Sequence, residues 1–222
     1  RRPRRGRVSS GFFEPARDCH SLSDPQEKCV AVEASGRAAE RGEFDWDDDF
    51  PVEPIGDPGR PERPELVDPV RVPRRRIGSP EGRAALVHAI AHIEFNAINL
   101  GLDAACRFRG MPRQYHLDWL SVAVDEARHF NLLQQRLQDL GHAYGDFPAH
   151  NGLWEAAVKT ADRCLVRMAL VPRVLEARGL DVTPGMIERL SAAGDDRTVE
   201  ALEVILDEEV RHVAIGTKWF RF

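Results

Sequence analysis

Two strings, DEARH at 125–129 and EEVRH at 208–212, each place a glutamate three residues ahead of a histidine. On a helix such a pair lies on one face, one turn apart, so a carboxylate and an imidazole can reach the same cation. Two more glutamates stand upstream at matching distances: Glu94 is 32 residues before Glu126, and Glu176 is 33 before Glu209. Glu126 to Glu209 and His129 to His212 are both 83 residues. A lone Glu-x-x-His is weak. Two copies, each with a partner glutamate upstream, imply two helical hairpins related by a pseudo-two-fold axis.

These groups interrupt apolar stripes. Trp119, Val122 and Ala123 lead into Glu126 and His129, which are followed by Phe130, Leu133 and Leu137. Leu202 and Ile205 lead into Glu209 and His212; Val87 and Ile90 lead into Glu94. Val158, Leu165, Ala169 and Pro172 lead to Glu176. A buried carboxylate without a partner costs several kcal/mol or gives up its charge. Four facing one core need positive charge among them, and two divalent cations balance them. The competing reading is buried salt bridges to Arg128, Arg211 or Arg178. The metal ligands expected are therefore Glu94, Glu126, His129, Glu176, Glu209 and His212. Glu126 and Glu209 would bridge, and the other four would each hold one ion. Imidazole and carboxylate without thiolate suit iron or manganese, so the cofactor expected is a pair of iron ions, with manganese or a mixed Fe/Mn pair as variants.

The elements that must carry these residues follow from periodicity and breakers. Ser79-Pro80-Glu81 reads as a helix start, and a 3.6-residue period runs to about Arg109. Gly110-Met111-Pro112 breaks it, and a second helix runs from about 112 to Leu140, closed by Gly141. After the loop HAYGDFPAHNG, a third helix is expected over 153–178 with a stop at Gly179, then a short one opened by Pro184, and a long one over 195–217. No strand is convincing. The fold class expected is all-α: an antiparallel four-helix bundle over 81–222 with a proline-rich N-terminal arm over 1–80. Eleven of the fifteen prolines lie in residues 1–80, so 51–76 is not helical; it is either an ordered arm or a linker. One short helix is expected in the arm over about 25–41, capped by Asp24, with Pro25 first and Gly42 as its stop.

Composition narrows the classes. The net charge is −5, yet five of the first seven residues are arginine, and the remainder carries 26 basic against 36 acidic residues, or −10. That excludes a globally basic nucleic-acid binder and leaves a short basic tail, expected to be solvated. No apolar run approaches the roughly 18–20 residues of a membrane span, so no membrane partner is expected. Four scattered cysteines without a C-x-x-C pair argue against a zinc site or disulfide scaffold and for a reducing, cytoplasmic location. The first seven residues lack the apolar stretch of a secretory leader, and without an initial methionine a start further upstream is expected.

Other chemistry-bearing residues have plainer roles. His88 and His92 lie beside the Glu94 stripe and are expected to cap or to hydrogen-bond a ligand carboxylate. Asp125 and Glu208 each precede a ligand and are placed either to orient His129 or His212, or to form ion-paired surface. Cys19, His20 and Cys29 are too irregularly spaced for a metal. Cys106, Cys164, Trp119 and Trp154 read as packing, and His142 and His150 as loop surface.

The strings PGRPERPELV, LVHAIAHIEFNAINLGLDA, YGDFPAHNGLW, LVPRVLEARGLDVTP and DEEVRHVAIGTKWF extend over about 51–222. In them the chain resembles the ferritin-like superfamily of dimetal-carboxylate bundles. More narrowly, it is similar to a bacterial ferritin-like family still labelled a domain of unknown function. The resemblance implies a dimetal site with the six ligands named above and O₂ activation. Such bundles store iron, reduce peroxide, make radicals or hydroxylate substrates, including modified tRNA bases. The reading preferred is a dimetal oxygenase or hydroxylase with O₂ or peroxide as co-substrate and a small-molecule or modified-base substrate, and a homodimer as candidate assembly. No Cys-x-x-Cys electron-transfer site is present, and Tyr115 lies 11 residues, about 16 Å, from Glu126, which weighs against peroxidase and radical roles. The alternatives are iron binding or storage, peroxide detoxification, and a metal-free helical scaffold.

Overall fold

Ser79 opens the longest helix, α3 (Pro80–Arg107), as its spacing predicts: its side chain accepts the Gly82 N–H, and Pro80 stands at the first position, where no donor is needed. A five-residue turn returns the chain into α4 (Arg113–Asp139), and these two helices share the largest interface of the molecule. Gly101 of α3 lies directly against the Ala123 backbone of α4, so the two helices approach closely there. In this computed structural model residues 11–46, 55–72 and 76–222 are described; the arginine-rich start and parts of the 51–76 stretch lie outside them. Among the described residues the chain is all-helical, with two isolated bridges and no strand.

The N-terminal third holds two helices where one is expected. α2 (Pro25–Glu40) has the anticipated Asp24 cap, and Gly42 follows it with φ +62°. Before it stands α1 (Phe13–Ser21). Its pattern is short, but Phe12 and Phe13 bury against Trp46 and His116, and packing supplies what length does not. α1 packs on α3 and α2 on α4, and Cys19, Cys29 and Val32 join the common core. The described part of the proline-rich stretch is an ordered arm. Asp57 accepts from Trp154 Nε1 (3.0 Å), Arg60 reaches Asn96 and Asn151, and Val67 pairs with Ala149.

The third expected helix is interrupted. The chain forms α5 (Gly152–Lys159), a turn, α6 (Cys164–Leu170), a single π-helical stretch over Val171–Glu176, and α7 (Ala177–Ala192). No glycine or proline marks the first break; a tertiary ion pair holds it. Buried Arg167 meets Asp103 of α3 at 2.5 Å, caps the Ala157 carbonyl at the end of α5 and donates to Thr160. Val158 and Leu165, expected on the core stripe, consequently face solvent. The π-stretch follows from Pro172, which has no N–H to return to residue 168. Nor does the helix stop at Gly179, and Pro184 opens nothing: both lie inside α7, whose Leu190 is buried and whose Met186 and Ile187 pack on the core. α8 (Asp196–Arg221) completes the fold, and its Gly216 has no room for a Cβ beside Pro172.

α3 alone is long and apolar enough to cross a membrane by length and composition among the described residues, a qualification of the sequence expectation; 83% of its apolar window is buried inside the protein.

Candidate metal centre

Glu94 from the middle of α3, Glu126 and His129 from α4, and Glu209 and His212 from α8 meet in the interior, and the π-stretch turns Glu176 toward them. His129 Nδ1 lies 3.2 Å from both Glu94 Oε2 and Glu126 Oε2. His212 Nδ1 is 3.1 Å from Glu126 Oε1 and 3.5 Å from Glu209 Oε2. One ligand atom from each of Glu94, Glu126, His129 and Glu209 falls within 4.8 Å of the other three. Glu126 thus stands between the two imidazoles, whose ring centres are 5.9 Å apart. Glu94, Glu126, Glu176 and Glu209 all line one cavity of about 280 Å³.

The far ring nitrogens are held crosswise. Glu208, next to Glu209 on α8, accepts from His129 Nε2 of α4 at 2.7 Å. Asp125, next to Glu126 on α4, accepts from His212 Nε2 of α8 at 3.1 Å. Each imidazole is therefore oriented by the opposite helix, which aims its Nδ1 at the carboxylates. Arg128 ties both orienting carboxylates together, at 2.6 Å to Glu208 Oε2 and 2.8 Å to Asp125 Oδ1, and Arg211 binds Asp125 and Ser121. Arg128 and Arg211 are committed to this outer layer, and Arg178 forms no ion pair with the cluster among the described residues.

The electrostatics describe a site that holds protons where it has no other cation. Burial, then the Glu126 charge, pushes Glu94 well above the ordinary carboxylate range. Burial, then Glu209 and Glu126, carries Glu176 up to about 8, and Glu209 is raised by burial and Glu126. Burial would raise Glu126 too, but the facing His212 and His129 hold it far below its usual range. Burial opposes charge on His129, yet Glu126 and Glu94 raise it to about 11, and Glu126 and Asp125 raise His212 as well. Asp125 sits at about 2, because His212 and Arg211 outweigh the effect of its burial.

Several sequence expectations need correction. His88 and His92 turn to the 142–152 loop rather than to a ligand carboxylate. His88 Nε2 accepts the Gly145 N–H at 2.9 Å and its ring stacks on Tyr144. Both nitrogens of His92 are used, Nδ1 with the Tyr144 hydroxyl (2.8 Å) and Nε2 with the His150 carbonyl (3.1 Å). They lie on the α3 flank facing that loop. The residues missed are those of α7 beyond Gly179 that line the cavity beside Glu176, namely Val182, Thr183 and Met186; Arg178, weighed from sequence only as a salt-bridge partner, lines it as well. Ending the helix at Gly179 hid them; the apolar spacing of Val182 and Met186 was the available signal.

The family described as "Protein of unknown function (DUF455)" matches residues 21–222. The chain belongs to the DUF455 family. An uncharacterized protein of Haemophilus influenzae is similar to it, 46% identical over 220 residues, covering 94% of this chain and 76% of that protein. No solved structure matches it. The match to DUF455 includes α2 as well as the helices that carry the cluster, so α2 is part of the family pattern.

Proposed function

We propose that this DUF455 protein binds two first-row divalent ions, iron or manganese, and is a ferritin-like dimetal-carboxylate oxidoreductase acting on an organic substrate. One observation carries the reading. Glu126 Oε1, Glu176 Oε2, Glu209 Oε2 and His212 Nδ1 are buried, without hydrogen-bond partners, and belong to one cluster. His212 Nδ1 approaches Glu126 Oε1 to 3.1 Å but is out of line for a hydrogen bond. Buried polar atoms left unpaired cost roughly 1–3 kcal/mol each, and bound cations would engage all four. The donor set fits: hard oxygens and neutral imidazole, with no thiolate among the cluster residues.

The residues divide the work. Glu94, Glu126 and His129 would hold one ion; Glu126, Glu176, Glu209 and His212 would hold the other, with Glu126 shared and Glu209 close enough to serve both. Asp125 and Glu208 keep Nε2 protonated and Nδ1 directed inward, and Arg128 and Arg211 fix those two carboxylates. The apolar cavity wall limits water around the carboxylates, which strengthens every charge interaction inside. When bound, such a pair of ions supplies the electrons that activate O₂ or peroxide. A homodimer is compatible with this reading.

Anaerobic loading with Fe(II), followed by exposure to O₂, tests it. About two irons per chain, with O₂ uptake proportional to iron, are expected. Iron far beyond two per chain would favour storage, and protein that retains no metal after loading would leave a helical scaffold.

A further inference from the structure

The cavity that ends on the carboxylates is greasy along its length and positive at its rim. Ile90, Leu175, Met186, Leu202, Ile205 and Leu206 form its wall. No aromatic ring lines it, and Thr183 is the one neutral polar side chain in the lining. A nucleobase would find neither a stacking surface nor the several donors and acceptors that read a base edge. At about 280 Å³ the cavity is less than twice the ~150 Å³ that encloses a benzene. With space reserved for ions, that leaves room for an aliphatic body of roughly eight carbons. Ile93 and Val182 flank the opening, about half exposed. Arg178 stands beside them, exposed and without an ion pair among the described residues.

We propose, resting on the dimetal reading, that the substrate is a medium-chain aliphatic carboxylic acid. Its carboxylate pairs with Arg178 at the rim, its hydrocarbon body lies against the aliphatic wall, and its far end approaches Glu94, Glu126 and Glu209. The head group stays at the mouth because Arg178 pairs with it beside water, while carrying its charge inward past the aliphatic wall would strip its hydration. The rim cation selects acids over alcohols of equal length.

Calorimetric titration of octanoate and 1-octanol into manganese-loaded protein tests this, with manganese measured in every sample. Octanoate is expected to bind one per chain, at least about tenfold more tightly than 1-octanol, the worth of one charge-assisted hydrogen bond. Arg178→Gln should bring octanoate down to the alcohol's affinity with manganese content unchanged, and Arg178→Lys should restore part of the difference. Val182→Trp should fill the mouth and weaken both probes. Equal binding of acid and alcohol overturns the proposal. So does octanoate binding that ignores Arg178→Gln, which would place the head group on the metal, or that ignores Val182→Trp, which would place the acid elsewhere. A protein that takes up no manganese fails the dimetal reading instead; Arg178-dependent octanoate binding in that protein would leave the acid site standing alone, and its absence would overturn both.

Discussion

Glu176 concentrates the argument at the scale of single residues. Its Oε2 is buried with no hydrogen bond, and burial together with Glu209 and Glu126 holds its pKa at about 8. Glu176→Gln removes a charge that metal-free protein must suppress and a ligand that loaded protein needs. The variant should therefore unfold at higher temperature than wild type in chelator at pH 8, while losing at least about tenfold in affinity for one of two ions. Calorimetric melting and competitive metal titration give the two readings; a loss of stability in both states would contradict the assignment. Asp125→Ala or Glu208→Ala frees one imidazole from its orienting partner, and metal affinity should fall about 10–100-fold with helicity retained, as circular dichroism and titration would show. The convergence of the six side chains was legible in the 3-residue and 32–33-residue offsets. The crosswise pairing was not, because Asp125 and Glu208 reach imidazoles on opposite helices and sequence spacing does not reveal which helices face each other.

At the scale of elements, the broken third helix carries the lesson. Periodicity located α3, α4 and α8 to within a few residues because each is a single run, opened by the Ser79 and Asp195 caps in α3 and α8 and by the Gly110-Met111-Pro112 break in α4. It failed between 153 and 192, where the path is decided by Asp103, some 60 residues away in sequence, and by the missing N–H of Pro172. The buried Asp103–Arg167 pair also receives Arg107 at 2.6 Å. Arg167→Met leaves Asp103 with one partner in place of two and should cost about 3–5 kcal/mol of stability, read from the denaturation midpoint. Pro172→Ala allows ordinary helical hydrogen bonds and rotates Glu176 away from the cavity. One of the two ions should be lost on titration while helical content holds or rises; an unchanged stoichiometry of two would show that the π-stretch does not position Glu176.

For the whole molecule, protons and metal compete for the same interior. In metal-free protein Glu94, Glu176 and Glu209 keep protons that the unfolded chain releases above pH about 4.5. His129 keeps one that the unfolded chain releases above 6.5. The cluster therefore binds more protons in the native than in the unfolded state. Elsewhere burial acts in the opposite sense, lowering His20 and His92 to about 4, His116 in the same direction and Lys28 to about 7. The two sets offset each other below about 6.5, so metal-free stability should fall as pH rises from about 6.5 through 8 and toward the His129 value of about 11. Glu126 acts in the opposite sense, and its contribution is lost only in acid below its unfolded value. Loaded protein should gain stability from pH 5 to 8, since deprotonation favours the ligands. Melting curves of both forms at several pH values test the crossing trends.

Anomalous diffraction at the iron and manganese edges, from crystals of metal-loaded protein, examines the central claim most directly. Two peaks roughly 3.5–4 Å apart, one beside His129 and one beside His212 with Glu126 between them, are the result this account requires. No peak in that cavity, with His212 Nδ1 and the Glu176 carboxylate satisfied by water or protein instead, would contradict it.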